Sequence, residues 1–155
     1  MAKDPEIQAR KALFETLKSD HYTLLIPDMC PIHFSLMKIL IERHFGMKAV
    51  VVTPVGRGAK DAGLSTVHND SCYPVIVTCG AFVYELRKGD YDLNRTAVII
   101  SQTGGGCRAS NYLSLFKKAF AKEFPTVPVL SLNFAGLSKD TSIPLGLGLI
   151  RELYQ

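Results

Sequence analysis

The 155-residue chain lacks the long apolar run, the export signal and the basic cluster that mark three broad classes of protein. Its apolar runs are much shorter than the roughly 20 residues that a membrane-spanning helix needs. Its N-terminal residues are charged throughout, unlike the apolar region of a signal peptide. The net charge of +4 is scattered, whereas nucleic-acid binding needs basic side chains clustered on one face. We therefore expect a cytoplasmic protein that has neither a membrane nor a nucleic acid as a partner.

Four continuous apolar runs predict strands that are buried on both faces. A run without alternation is typical of a parallel sheet that helices cover on both sides, because neither face meets water. The four runs are Thr23–Ile26, Ala49–Val52, Thr96–Ile100 and Val127–Leu132.

Helical patterns separate these runs, with apolar residues spaced along one helix face. They extend from Phe34 to Phe45, from Val75 to Leu86 and from Leu113 to Phe124, and another amphipathic helix lies near the N-terminus. This alternation predicts a single α/β domain over residues 1–155. We expect three layers, with helices on both faces of a roughly four-stranded parallel sheet.

Two segments depart from the alternation. Residues 54–70 contain one proline and three glycines, and they predict a long loop with at most one short helical turn. Residues 143–155 predict a leucine-rich helix whose apolar face needs a cover. The cover would be the chain's own sheet, a partner, or the rest of a longer multidomain chain of which this domain is a part.

Three of the four cysteines lie between a strand or its loop and the following helix. Cys30 follows the first run, Cys107 follows the third, and Cys72 opens the helix at Val75. In a parallel sheet such positions converge at the carboxyl edge, where ligands bind. Helix N-termini lower thiol pKa values, and thiolates bind soft metals and iron–sulfur clusters. We therefore predict a metal site made of Cys30, Cys72 and Cys107, with its fourth ligand left open.

The fourth cysteine, Cys79, lies on the apolar face of the helix that Cys72 opens. A thiol in this setting is typical of a core residue rather than of a metal ligand. We expect Cys79 to be buried between the helix and the sheet.

A triple glycine precedes Cys107, and Gly104, Gly105, Gly106 and Arg108 are candidate cofactor-binding residues. Backbone N–H groups at the start of a helix bind anions, and an arginine donates to phosphate, carboxylate or sulfide. The string matches neither GxGxxG nor GxxxxGK[ST], so it does not specify a nucleotide. Glycines would equally let the backbone pass close to a bulky cluster. No Ser–His–Asp arrangement is evident that would indicate a hydrolase.

The string from Gln102 to Tyr112, QTGGGCRASNY, resembles the 2-hydroxyacyl-CoA dehydratase superfamily, as do Cys72-Tyr73-Pro74 and the Val129–Asn133 run. The similarity is greatest to the large activase-related proteins, described as CoA-substrate-specific enzyme activases or 2-hydroxyglutaryl-CoA dehydratase components. It covers roughly residues 22–137.

The resemblance implies a flavodoxin-like or Rossmann-like domain that holds a [4Fe–4S] or double-cubane cluster through cysteines. It also implies low-potential electron transfer, coupled to ATP hydrolysis in an activator. By position, Cys72 and Cys107 match family cysteines, and Cys30, in its Met-Cys-Pro context, matches less closely.

The chain is much shorter than these proteins and has no ATPase fingerprint, so the isolated domain is not expected to be catalytic. Its expected partners are other domains of a longer chain or partner subunits, with an acyl-CoA substrate and a homo-oligomer as further possibilities. Two alternatives stay open. One is a flavodoxin-like module that binds a nucleotide or flavin through the glycine loop, and the other is a non-catalytic interaction domain whose cysteines hold nothing.

Overall fold

A parallel sheet forms the centre of the described part of the chain. A computed structural model describes residues 12–13, 15–68, 70–102 and 112–133. Within these residues the sheet has four strands, each at the position of a predicted apolar run. They are β1 (Thr23–Pro27), β2 (Lys48–Val52), β3 (Thr96–Gln102) and β4 (Val129–Asn133).

Helices cover both faces of this sheet. They are α1 (residues 15–19), α2 (Pro31–Leu40), α3 (Gly56–Thr66), α4 (Tyr73–Arg87) and α5 (Tyr112–Glu123). The strand order is β2-β1-β3-β4, with all neighbours parallel, which is the order of the first four strands in flavodoxin-like folds. The predicted three-layer α/β fold is confirmed.

Side chains along the strands alternate between two cores, one on each face. In β1, Leu24 and Ile26 pack on the α1 and α2 side, whereas Leu25 packs on the α3, α4 and α5 side, and all three are fully buried. In β3, Ile99 and Val98 divide in the same way. Because both faces are covered, both sets of side chains are apolar, which explains the continuous runs.

The predicted helices end where the local sequence requires it. A π-helical turn (Ile41–Phe45) follows α2, and this helical stretch ends at Gly46, whose φ is 66°. Gly89 follows α4 with a φ of 82°. Glycine adopts this left-handed conformation without the steric cost of a Cβ atom, so it terminates helices readily.

The predicted long loop over residues 54–70 is wrong, because Gly56–Thr66 forms α3. Its glycines are packing positions rather than helix breakers. A Cβ atom on Gly63 would lie 2.8 Å from the carbonyl carbon of Ile76, so the backbones of α3 and α4 touch. Glycine costs a helix about 1 kcal/mol relative to alanine, and burial of α3 against α4 outweighs this cost.

The predicted helix over residues 143–155 and the triple glycine lie outside the described residues. In the described ranges, no helix has both the length and the apolar character needed to cross a membrane.

Candidate functional site

The carboxyl ends of β1 and β3 lie side by side where the strand order reverses. In open α/β sheets, ligands bind at this point because the loops leave toward opposite faces and open a crevice between them. The connection after β1 contains Cys30, and the connection after β3 contains Cys107 in its sequence. The strand order therefore makes this edge the candidate site.

Asp28 joins the ends of β1 and β2 at this edge. Its N–H donates to the Val52 carbonyl at 3.0 Å, and the Thr53 hydroxyl donates to its Oδ2 at 3.0 Å. Its Oδ1 is buried and has no hydrogen-bond partner among the described residues. A buried carboxylate oxygen without a donor destabilises a fold, so Oδ1 is an acceptor that a bound group could satisfy.

Cys30 is the N-cap residue of α2, and Pro31 follows it in the first turn. The side chain is half-buried, and its Sγ lies 2.9 Å from Nδ1 of His33. The hydrogen bond from the His33 side chain lowers the pKa of the Cys30 thiol below its ordinary value. A partly exposed thiol beside an imidazole at a helix N-terminus is typical of a reactive or metal-binding cysteine.

Alkylation with iodoacetamide measures this effect, because the thiolate is the nucleophile. We expect Cys30 in the metal-free protein to react at a lower pH than an ordinary cysteine. Its lowered pKa keeps the thiolate populated as the pH falls. His33→Ala should move the rate profile toward higher pH, since it removes the largest cause of the lowered pKa. Mass spectrometry of each cysteine peptide assigns the rates, and identical profiles for wild type and His33→Ala would contradict the interpretation.

Cys72 is the N-cap residue of α4, as the sequence predicts. Its Sγ lies 3.0 Å from the Tyr112 hydroxyl, which belongs to the first residue of α5. These residues are 40 positions apart, so the contact is a product of the tertiary structure. Cys107 precedes Tyr112 by only five positions in the sequence (112 − 107). The contact thus joins Cys72 to the end of the connection that contains Cys107.

Helices α4 and α5 lie side by side in the same direction. At their N-terminal ends the N-cap residue Cys72 contacts Tyr112. At their C-terminal ends Arg87 forms a bidentate pair with Glu123, with Nε–Oε1 at 2.6 Å and Nη2–Oε2 at 3.1 Å. Both helices therefore direct their N-termini toward the same edge. A cavity of about 210 Å³ lies there, and its lining includes Cys72, Tyr112 and His68.

Cys79 is fully buried in the core between α4 and the sheet, as predicted. Burial, followed by the nearby charge of Glu123, raises the pKa of its thiol to about 12. A thiol that stays protonated at neutral pH is a poor ligand and a poor nucleophile. Cys79 is therefore a packing residue.

The two described candidate ligands pack on opposite faces of the sheet. Cys30 packs against the core on the α1 and α2 side, and Cys72 packs against the core on the α3, α4 and α5 side. No group of three or more His, Cys, Asp or Glu side chains with metal-binding geometry occurs among residues 12–13, 15–68, 70–102 and 112–133. The other candidates, Cys107, Gly104, Gly105, Gly106 and Arg108, lie outside those residues, so the three-cysteine site stays a prediction.

The structure gives the thiols two partners, His33 and Tyr112, that do not belong to the predicted site. His33 follows Cys30 by three positions, which is one helical turn, so that spacing was a usable signal. For Tyr112, the only sequence feature that pointed to the site was its position at the end of the glycine-rich string. Its contact with Cys72 depends on how α4 and α5 pack.

Comparisons with known proteins found no match: no family model, no curated protein and no solved structure is significantly similar to the chain. A function is therefore proposed from the residues, the fold and the geometry of the carboxyl edge of the sheet.

Proposed function

We propose that the domain binds an iron–sulfur cluster at the carboxyl edge of its sheet and serves low-potential electron transfer in a 2-hydroxyacyl-CoA dehydratase or activase system. The contact between Cys72 Sγ and Tyr112 Oη carries the proposal. The contact joins the candidate ligand Cys72 to α5. The connection that precedes α5 in the sequence contains another candidate ligand, Cys107. Thiolates are the ligands that iron–sulfur clusters use.

The donor chemistry of the described cysteines fits such a cluster. Cys30 and Cys72 are both half-buried N-cap residues, and neither side chain caps its own helix with a hydrogen bond. The Sγ of each contacts one side chain, His33 for Cys30 and Tyr112 for Cys72. Cys30, Cys72 and Cys107 are the residues that would hold the cluster. A bound cluster supplies one-electron transfer at low potential.

His33 and Tyr112 would act on the sulfur atoms rather than on iron. Each lies within hydrogen-bond distance of a cysteine Sγ. Hydrogen bonds to ligand sulfur are among the factors that set the reduction potential of a cluster. Other domains of a longer chain or partner subunits would supply the acyl-CoA chemistry. Free thiols of this kind fit a reducing compartment, which supports a cytoplasmic location.

Anaerobic reconstitution with iron and sulfide tests the proposal. We expect a brown protein with a broad visible absorption and with iron and acid-labile sulfide in equal amounts. The matched control is the triple variant with serine at positions 30, 72 and 107, treated in the same way. Equal iron in the control and the wild type would overturn the proposal.

A second candidate is a flavin- or nucleotide-binding module, and two observations favour it. The strand order is the flavodoxin-like one, in which ligands bind at the β1/β3 reversal. The unpartnered Asp28 Oδ1 at that edge would accept a hydrogen bond from a ligand hydroxyl. A yellow protein that releases flavin on denaturation would support this candidate. A colourless protein that takes up neither group would support an interaction domain with empty cysteines.

A further inference from the structure

The two side chains that contact the candidate ligands differ in burial. Tyr112 is 3% exposed and belongs to the core on the α3, α4 and α5 side, and its hydroxyl lies 3.0 Å from Cys72 Sγ. His33, whose Nδ1 lies 2.9 Å from Cys30 Sγ, is exposed to solvent. The two contacts therefore have similar lengths but different surroundings.

The packing of α5 on α4 sets the position of the Tyr112 ring. One turn further along α5, Phe116 is fully buried and meets the Phe82 ring of α4 edge to face, with ring centroids 5.9 Å apart. At the C-terminal ends of the two helices, the bidentate pair of Arg87 and Glu123 joins them again. The hydroxyl therefore reaches Cys72 from a ring whose helix is held at two further points.

The direction of the hydrogen bond between Tyr112 and Cys72 follows from the chemistry of the sulfur. In the metal-free protein either the thiol or the phenol can be the donor. A cysteine binds metal as the thiolate, which has lost its proton. The phenol O–H is then the only donor of the pair, and Sγ accepts its hydrogen bond. Metal binding at Cys72 therefore makes Tyr112 a donor to the ligand sulfur.

The surroundings of the two contacts decide which is stronger. Cys72 and Tyr112 line the cavity of about 210 Å³ together with the apolar side chains of Val75 and Leu115, and Val75 is fully buried. A hydrogen bond is stronger beside apolar side chains, where the local dielectric constant is low, than in water. The exposed His33 competes with water for its contact with Cys30. We therefore expect the contact of Tyr112 to have the larger effect on its sulfur.

We propose that Tyr112 is a positioning residue, whose hydroxyl orients Cys72 Sγ and raises the reduction potential of the site more than His33 does. This inference rests on the proposed function. Reduction adds one negative charge, and a donor to the ligand sulfur stabilises that charge, so it favours the reduced form. The same contact fixes the Cys72 side chain before iron binds. Groups that orient ligands in this way commonly increase metal affinity.

Tyr112→Phe tests this role, because phenylalanine keeps the ring and removes only the hydroxyl. After anaerobic reconstitution and redox titration, we expect the equilibrium constant for one-electron reduction to fall about tenfold, which is a potential lower by about 59 mV. His33→Ala should shift the potential less. The matched control is Tyr91→Phe, which removes a hydroxyl that donates to Glu85 at 3.3 Å, near the opposite end of α4 from Cys72. It should keep the potential of the wild type.

The outcomes separate this inference from the proposed function. If the wild type takes up iron and Tyr112→Phe has the same potential, the role of Tyr112 is overturned and the cluster stands. A wild type that takes up no iron overturns both. Loss of iron from Tyr112→Phe at unchanged thermal stability of the metal-free protein would support the orienting role. Loss of iron together with thermal stability well below that of Tyr91→Phe would show a structural role instead, and a larger shift in His33→Ala would contradict the ranking.

Discussion

Serine in place of Cys72 is expected to abolish most iron binding while leaving the fold intact. An oxygen donor is a poor ligand for a soft iron–sulfur site. Loss of a supporting residue alone commonly lowers metal affinity about 10–100-fold, so loss of a ligand should lower it at least as much. At the N-cap position serine is a favoured residue, because its hydroxyl accepts a hydrogen bond from the first turn, so α4 should be at least as stable.

Cys79→Ser is the matched control, because it makes the same chemical change on the same helix. Its hydroxyl would lie in an apolar core, where a poorly paired polar group costs about 1–3 kcal/mol. We expect this variant to lose thermal stability and to keep its iron. Iron and sulfide content after identical anaerobic reconstitution, together with thermal unfolding of the metal-free proteins, gives both readouts.

Cys107→Ser should behave like Cys72→Ser in iron content, since both thiols belong to the proposed ligand set. Full iron content in either variant would remove that cysteine from the site. Loss of iron in Cys79→Ser alone would show that iron uptake follows stability rather than ligation. The three variants thus separate a ligand role from a structural one.

Alanine in place of Gly80 is expected to destabilise the fold by about 2–3 kcal/mol, the upper part of the range for overpacking. A Cβ atom at this position would lie 2.8 Å from Cα of Gly63 and closer still to the carbonyl oxygen of Ala59. Both neighbours are backbone atoms of α3, so α3 must move as a whole and lose its packing on α4. The gain in helix propensity, about 1 kcal/mol, offsets only part of this cost.

Gly58→Ala is the control for this prediction, because it adds the same methyl group to the same helix pair. There the new Cβ atom would meet the ring of Tyr84, which is 41% exposed and can rotate away. We expect stability within about 1 kcal/mol of the wild type, with the helix propensity of alanine compensating for the contact. Thermal or urea unfolding measures both variants. Equal stability of Gly80→Ala and Gly58→Ala would contradict the close backbone contact between α3 and α4.

Much of the candidate site follows from local sequence signals. The breaks between apolar runs and helical stripes placed Cys30 and Cys72 at helix N-termini, and the structure confirms both as N-cap residues. The stripe in α4 predicted that Cys79 is buried, and it is. These predictions succeed because strand burial and helix periodicity depend on neighbours within a few residues.

The prediction failed where small residues serve long-range packing. Glycine has a low helix propensity in isolation, so residues 54–70 predicted a loop. Gly63 nevertheless lies within α3, and a residue without a side chain is needed there because α3 contacts the backbone of α4 at Ile76 and Gly80. No local pattern contains the position of the opposing helix, and the glycine signal is therefore ambiguous until the two helices are packed.

The sequence by itself determined the strands, most of the helices and the burial of Cys79, because each depends on the pattern of apolar residues along one segment. The tertiary structure decided the rest. Strand order placed the reversal between β1 and β3, and helix packing brought Cys72 to Tyr112 while setting Cys30 on the other face. These features depend on which segments become neighbours, and that is set by the packing free energy of the whole fold.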